Sequence, residues 1–370
     1  MQDQRKPILI LAQSGRLLAQ SATHADYPVW VADCFGDQDT LSIVDRWLKV
    51  PTLVNSNHDT LVQILSELSQ GENCSLICGS GIESCYTLLD SLPKNIQLIG
   101  NSAQTIHTIK TPPLFFSLLD KLELSYPDTQ FERPKNDDAW LMKAPSGLGG
   151  SHIQKLHSSS QITDHYFQKY IEGGSGSVLF LANGQNAQLI SLNRQLIADN
   201  KESSFRLVAI EMPWNIAHAH QYYLKQAISK ISKASGLVGL NSLDFMISDQ
   251  DECLILEINP RPSASVELID NDENLFQYHI NACQGILPIQ PLNTATTHKI
   301  SLRYLFAEMD YLIPDDMNWP IECHDLPATG TIISTNEPIC TSIVKSGYES
   351  SIEILHNDIE HKVLQQLISS

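Results

Sequence analysis

Positive charge is what this sequence has little of. Its 370 residues carry 24 Lys and Arg against 42 Asp and Glu, a formal net charge of −18. Such a surface repels a phosphate backbone, which excludes nucleic-acid binding as the main activity but leaves room for one local cationic pocket. Long apolar runs are also missing. None approaches the roughly 20 residues that span a bilayer, and the first, residues 7–12, is too short for a signal h-region. No membrane partner is expected. The eight cysteines are scattered without a CxxC pair. Cys74, Cys78 and Cys85 match no zinc spacing and read as small buried hydrophobes, so reduced thiols in a cytoplasm are the expectation. No GxGxxG follows the first strand, which leaves a nicotinamide or flavin site of the usual kind unsupported. The apolar share of 42% excludes global disorder, and the length suggests two or three domains.

What is present has an order. Apolar runs at residues 7–12, 29–32 and 75–78 end in Ser14-Gly15-Arg16, Asp33 and Gly79-Ser80-Gly81 and feed helix-like stretches. That alternation describes a parallel α/β unit, whose turns at the strand ends are ordinary connections or a ligand edge. Asp33, Asp37 and Asp39 read as helix-capping acids, with a substrate-amine contact as the alternative. Four prolines between 112 and 134 bracket one helix near 114–122. A strand at 140–143 then runs into Ala144-Pro145-Ser146-Gly147-Leu148-Gly149-Gly150-Ser151. Asn183-Gly184 signals a hairpin whose return strand is 188–197, and this middle piece reads as a small antiparallel sheet. A helix at 222–235, strands at 239–247 and 253–258, and a final helix at 358–367 complete the pattern.

Chemistry concentrates between Asp244 and Ser265. A tight turn at 249–251 pairs the strand of Asp244 with the strand that ends in Glu257 and Asn259. Side chains alternate along a strand, so Glu257 and Asn259 share a face. Two carboxylates and an amide oxygen form a hard-oxygen site suited to Mg²⁺ on a nucleotide's phosphates. Leu254-Ile255-Leu256 makes that strand buried, and buried acids need a partner. Arg261 follows, able to meet a phosphoryl group bidentately, with Ser263 and Ser265 as hydroxyl donors. Upstream, Lys143 precedes the glycine-rich turn, where backbone N–H groups approach phosphates closely. The turn is not the GxxxxGK[ST] P-loop.

Lys143 with residues 146–150, Tyr166-Phe167-Gln168-Lys169-Tyr170-Ile171-Glu172-Gly173, and Asp244…Glu257-Ile258-Asn259-Pro260-Arg261 together resemble the ATP-grasp superfamily, in its order, over the central half of the chain. The Asn-Pro-Arg-Pro-Ser-Ala-Ser run resembles the carboligase-like branch, related to biotin carboxylase and carbamoyl phosphate synthetase and including tyramine–glutamate ligase. The resemblance implies an α/β ATP-grasp fold: an open parallel domain (1–110), an antiparallel lid (111–185) and a metal-binding α+β subdomain with a small-sheet extension (186–370). It implies ATP and Mg²⁺ as cofactors, with Asp244, Glu257 and Asn259 as metal ligands. It implies Lys143, Ser146, Gly147, Gly149, Gly150 and Ser151 on the phosphates, and Gln168, Lys169, Ile171 and Glu172 at the adenine hinge. Arg261 would stabilise an acyl phosphate, and Arg194 would be a second phosphate or substrate cation. Two positions depart from the family: Pro112 stands at its further ATP lysine, with Lys110 nearby, and Ser175 at its ribose glutamate. The activity implied is a carboxylate–amine ligase releasing ADP and phosphate, on an amino acid such as glutamate, in one-carbon cofactor biosynthesis. Its partners would be small-molecule carboxylate and amine substrates, with a homodimer as an option. The alternatives are a bicarbonate-phosphorylating carboxylase and a non-catalytic nucleotide-binding regulatory protein.

Overall fold

The computed structural model describes residues 5–135, 139–145, 147, 149–150, 152–157, 165–198, 205–269, 274–292, 298–346 and 351–368. The first apolar runs become the centre of a five-stranded parallel sheet. Its order is Arg46–Lys49, Val29–Asp33, Ile8–Leu11, Cys74–Cys78 and Ile96–Leu98. The strands Ile8–Leu11, Val29–Asp33 and Cys74–Cys78 are buried throughout, as parallel strands covered on both faces must be. Ser14, Arg16, Gly79 and Ser80 sit at their carboxyl ends and line the central cleft.

An eight-stranded antiparallel sheet forms the body of the molecule. Its order is Cys253–Asn259, Val238–Ser248, Gly173–Asn183, Ala187–Ile197, Leu207–Met212, Lys299–Phe306, Pro338–Ser346 and Cys323–His324. The hairpin at Asn183-Gly184 belongs here, not to the small sheet expected from local signals. Gly173–Asn183 pairs along its whole length with Val238–Ser248, a contact between segments far apart in the chain. Alternation explains how this strand is buried twice. Val178, Phe180 and Ala182 pack under the helices His218–Ser235 and Pro112–Lys121, while Leu179 and Leu181 pack against the helix Leu275–Cys283.

A third, four-stranded sheet (Thr129–Gln130, Tyr166–Lys169, Trp140–Lys143, Ile153–Lys155) overhangs the second. Its own core, among the described residues, is Met142, Leu156 and Phe167 with Trp140 beside them. No helix described is long and apolar enough to cross a membrane.

Candidate active site

The three sheets meet around one cleft of about 940 Å³. Its floor is the antiparallel pair Val238–Ser248 and Cys253–Asn259, whose register sets Asp244 opposite Glu257 and Ser242 opposite Asn259, with a bulge after Asp244. The Asp244 Oδ2 accepts from the Asn259 Nδ2 at 3.2 Å, and its Oδ1 from the Gln195 Nε2 at 3.2 Å. Burial, and then the charge of Glu257, push the Asp244 carboxyl up to about 7. Burial pushes Glu257 the same way, but Lys110, His152 and Lys143 outweigh it and bring that carboxyl down to about 2. Two acids and an amide, one acid held near neutrality by its neighbour's charge, suit a divalent cation with hard-oxygen preference.

Cations face the acids from two directions. The Lys110 Nζ lies 3.1 Å from the Glu257 Oε2, and the surrounding acids outweigh burial to raise its pKa. Lys143, on the overhanging sheet, is buried and donates to the Gln168 Oε1 at 2.6 Å. Burial dominates there and lowers its ammonium to about 8. The glycine-rich turn packs against the start of the interior strand Leu207–Met212, where Leu207 N–H donates to the Gly149 carbonyl. Gly150 has φ +80, and a Cβ there would stand 1.9 Å from the Phe205 carbonyl oxygen. Only glycine fits that approach.

Arg261 continues the floor. Its Nε donates to the Glu83 Oε1 at 2.9 Å, tying the metal-type loop to the parallel sheet's domain. Beyond it Arg16, almost wholly buried, is clasped by Asp325 and by the Glu267 Oε2 at 2.6 Å.

Among the residues expected from sequence, Lys143, Gly147, Gly149, Gly150, Asp244, Glu257, Asn259 and Arg261 line this cleft together. Ser146 and Ser151 lie outside the described residues. The side chains of Gln168, Lys169, Ile171 and Glu172 are not among those lining it. Gln168 is buried against Lys143, Lys169 is exposed with its N–H given to the Asp128 carbonyl, and Glu172 is exposed. Arg194 is a correction. It pairs with Gly176 and Glu211 on neighbouring strands, whereas Ser175, Ser177 and Gln195 line the cleft. Alternation turns Arg194 to the far face, where it is exposed. Gln195, one position on, reaches Asp244 instead. Sequence reasoning also missed Glu83, in the short 3-10 turn Ile82–Ser84, and Asp325, just past the strand Cys323–His324, single acids with no local signal. Lys110, flagged beside Pro112, is the lysine that reaches Glu257.

Residues 113–265 match the family model described as ATP-grasp domain. The arginine-specific carbamoyl phosphate synthase large chain of Bacillus subtilis (strain 168) is 21% identical over 210 residues, covering 51% of this chain and 20% of that protein. The chain thus spans about a fifth of the length of the curated relatives it matches. The L-amino acid ligase of Bacillus licheniformis superposes with a TM-score of 0.73 at 11% identity, covering 97% of this chain and 98% of that one. The biotin carboxylase of Campylobacter jejuni superposes with a TM-score of 0.72 at 12% identity, covering 94% and 89%. Residues 113–265 thus match an ATP-grasp domain, and the chain shares its fold almost end to end with these solved structures.

Proposed function

We propose that the protein is an ATP-dependent carboxylate–amine ligase. One observation carries the reading: Lys143 and Lys110 face the acid pair Asp244 and Glu257 in a cleft whose floor continues to Arg261. A carboxylate is a poor electrophile, so its oxygen first attacks the γ-phosphorus of ATP. The β–γ bridge breaks, ADP leaves, and the acyl phosphate then offers phosphate as a leaving group to an amine. Amide formation releases that phosphate. Lys143 and the N–H groups of the glycine-rich turn hold the phosphates. Asp244, Glu257 and Asn259 would hold Mg²⁺, which when bound supplies charge neutralisation at the transferring phosphoryl group. Arg261, oriented by Glu83, meets the developing negative charge on the acyl group. The overhanging sheet excludes water, which would otherwise hydrolyse the acyl phosphate.

Amino acids are the carboxylate class to test first, because a solved structure sharing the fold is an L-amino acid ligase. The test is an ADP-release screen of amino acids paired with amines, with products read by mass spectrometry. Release that needs both substrates supports the ligase; release unchanged in Asp244→Ala and Glu257→Ala refutes the assigned site. A second reading, a carboxylase that phosphorylates bicarbonate, is favoured by one observation: Glu267 follows Arg261 into the same cleft, in a chain whose fold a biotin carboxylase shares. Bicarbonate-stimulated ATP turnover without any amine distinguishes it.

A further inference from the structure

At the end of the cleft formed by the parallel sheet and the strands after 300, the charge balance reverses. Asp37, Glu267 and Asp325 line that end, with Asp39 behind them and Arg16 as the cation in their midst. Most of these acids are spoken for. Asp325 accepts from Ser14 Oγ, from Thr341 Oγ1 and twice from the Arg16 guanidinium. Asp39 takes the Asp325 and Leu326 N–H groups. Asp33 takes those of Gly15 and Gly36 and the Trp47 indole. Asp37 differs. It stands at the N-cap position of the short helix Gln38–Leu41, but its side chain accepts no N–H of the first turn, which corrects the expectation from sequence. Asp37 is 5% exposed and lines the cleft, and among the described residues no donor meets its Oδ2. Buried polar atoms are rarely left so, and an orphan of this kind in a cleft points to a missing partner.

We propose that Asp37, among the acids around Arg16, seats the ammonium group of the ligase's amine substrate, which therefore enters as a cation and loses one proton to solvent before its nitrogen lone pair attacks the acyl phosphate. This rests on the ligase reading and adds where the amine sits. An N⁺–H donor fills the orphaned acceptor, and its charge offsets the acids that Arg16 alone does not neutralise. Geometry and titration agree. Burial, then Asp325, Asp33 and Asp39, push the Asp37 carboxyl up to about 8 against the pull of Arg16. Burial also raises the neighbouring Glu267 carboxyl, to about 7, so an ammonium entering at neutral pH displaces protons from this cluster and binding releases them to solvent.

The experiment is calorimetric titration of the full chain, without nucleotide, using ethylamine, putrescine and L-alaninamide as probes and ethanol as the neutral control. It is run at pH 7 in phosphate and in MOPS, two buffers of different ionisation enthalpy. The expected result is saturable binding of an ammonium probe, proton release, no ethanol binding, and at least about tenfold weaker affinity in Asp37→Asn. The proposal is overturned if no ammonium probe binds the wild type, or if Asp37→Asn binds as the wild type does. Should Asp37→Asn fail to fold, the wild type decides: equal enthalpies in the two buffers overturn the seat. Ammonium binding without any amine-dependent ADP release removes the ligase reading and leaves the seat. Amine-dependent ADP release with an unchanged amine KM in Asp37→Asn does the opposite.

Discussion

The two antiparallel sheets that face each other across the cleft are built differently. The eight-stranded sheet carries apolar layers on both faces, one under His218–Ser235 and Pro112–Lys121, the other against Leu275–Cys283. The four-stranded sheet rests on Met142, Leu156 and Phe167. Local stability follows buried apolar contact, so the first is a platform and the second is the part that opens first. The acids Asp244 and Glu257 stand on the platform, where their spacing is held. Lys143 stands on the overhang, which must part to admit a nucleotide and close to exclude water. Ligand geometry and ligand access are thus assigned to different sheets.

The sharpest test of this division is chemical. Asp244→Ala or Glu257→Ala should lower substrate-dependent ADP release by about 10⁴-fold. Thermal melting of Asp244→Ala should stay at or above that of the wild type, because a carboxyl raised by burial and by its neighbour's charge is removed. A large drop in melting temperature would make the acids structural. Next in size is Phe180→Ala in the platform, expected to cost about 3–5 kcal/mol in denaturant unfolding. Phe167→Ala in the overhang should leave the global midpoint nearly unchanged while speeding amide exchange across Trp140–Lys143. Equal losses from the two would erase the comparison.

His279 tests the platform through pH. Its Nδ1 accepts from Leu240 N–H at 2.9 Å, between the helix Leu275–Cys283 and the strand Val238–Ser248, and burial lowers its pKa from 6.5 to about 4. The unfolded chain therefore binds the proton first. Stability is full above pH 6.5 and falls as pH drops towards 4, by up to about 3 kcal/mol from this group. His279→Asn, which keeps an acceptor for Leu240, should flatten that slope in chemical denaturation. The smallest effect belongs to Gly150→Ala, expected to raise the ATP KM about tenfold with little change in unfolding, since the added methyl pushes the turn off the backbone at Phe205 without touching the core.

What was legible in the sequence follows from how local each signal is. The pair Asp244 and Glu257 could be read because a tight turn and strict alternation connect them within one hairpin, although the bulge after Asp244 leaves no mark. Lys143 and the glycines beside it share one strand and its turn. Arg194 went the other way because the register of its own hairpin shifts at a bulge between Leu179 and Phe180, which leaves no mark in the sequence. Pairing with the distant strand Val238–Ser248 moved the 173–197 hairpin from the small sheet to the large one. Arg16 and Asp325 are 309 positions apart, and only folding shows that they meet. Asp37 looked like a helix cap in sequence, and its orphaned oxygen is visible only in three dimensions.

The central claim is that this cleft activates a carboxylate by phosphorylation. With the carboxylate substrate that the ADP-release screen identifies, both its oxygens labelled with ¹⁸O, the phosphate released during amide formation is analysed by mass spectrometry. An acyl phosphate requires one ¹⁸O in each phosphate, because the C–O bond breaks when the amine attacks. Unlabelled phosphate would mean that water had taken the phosphoryl group, and the account would be contradicted.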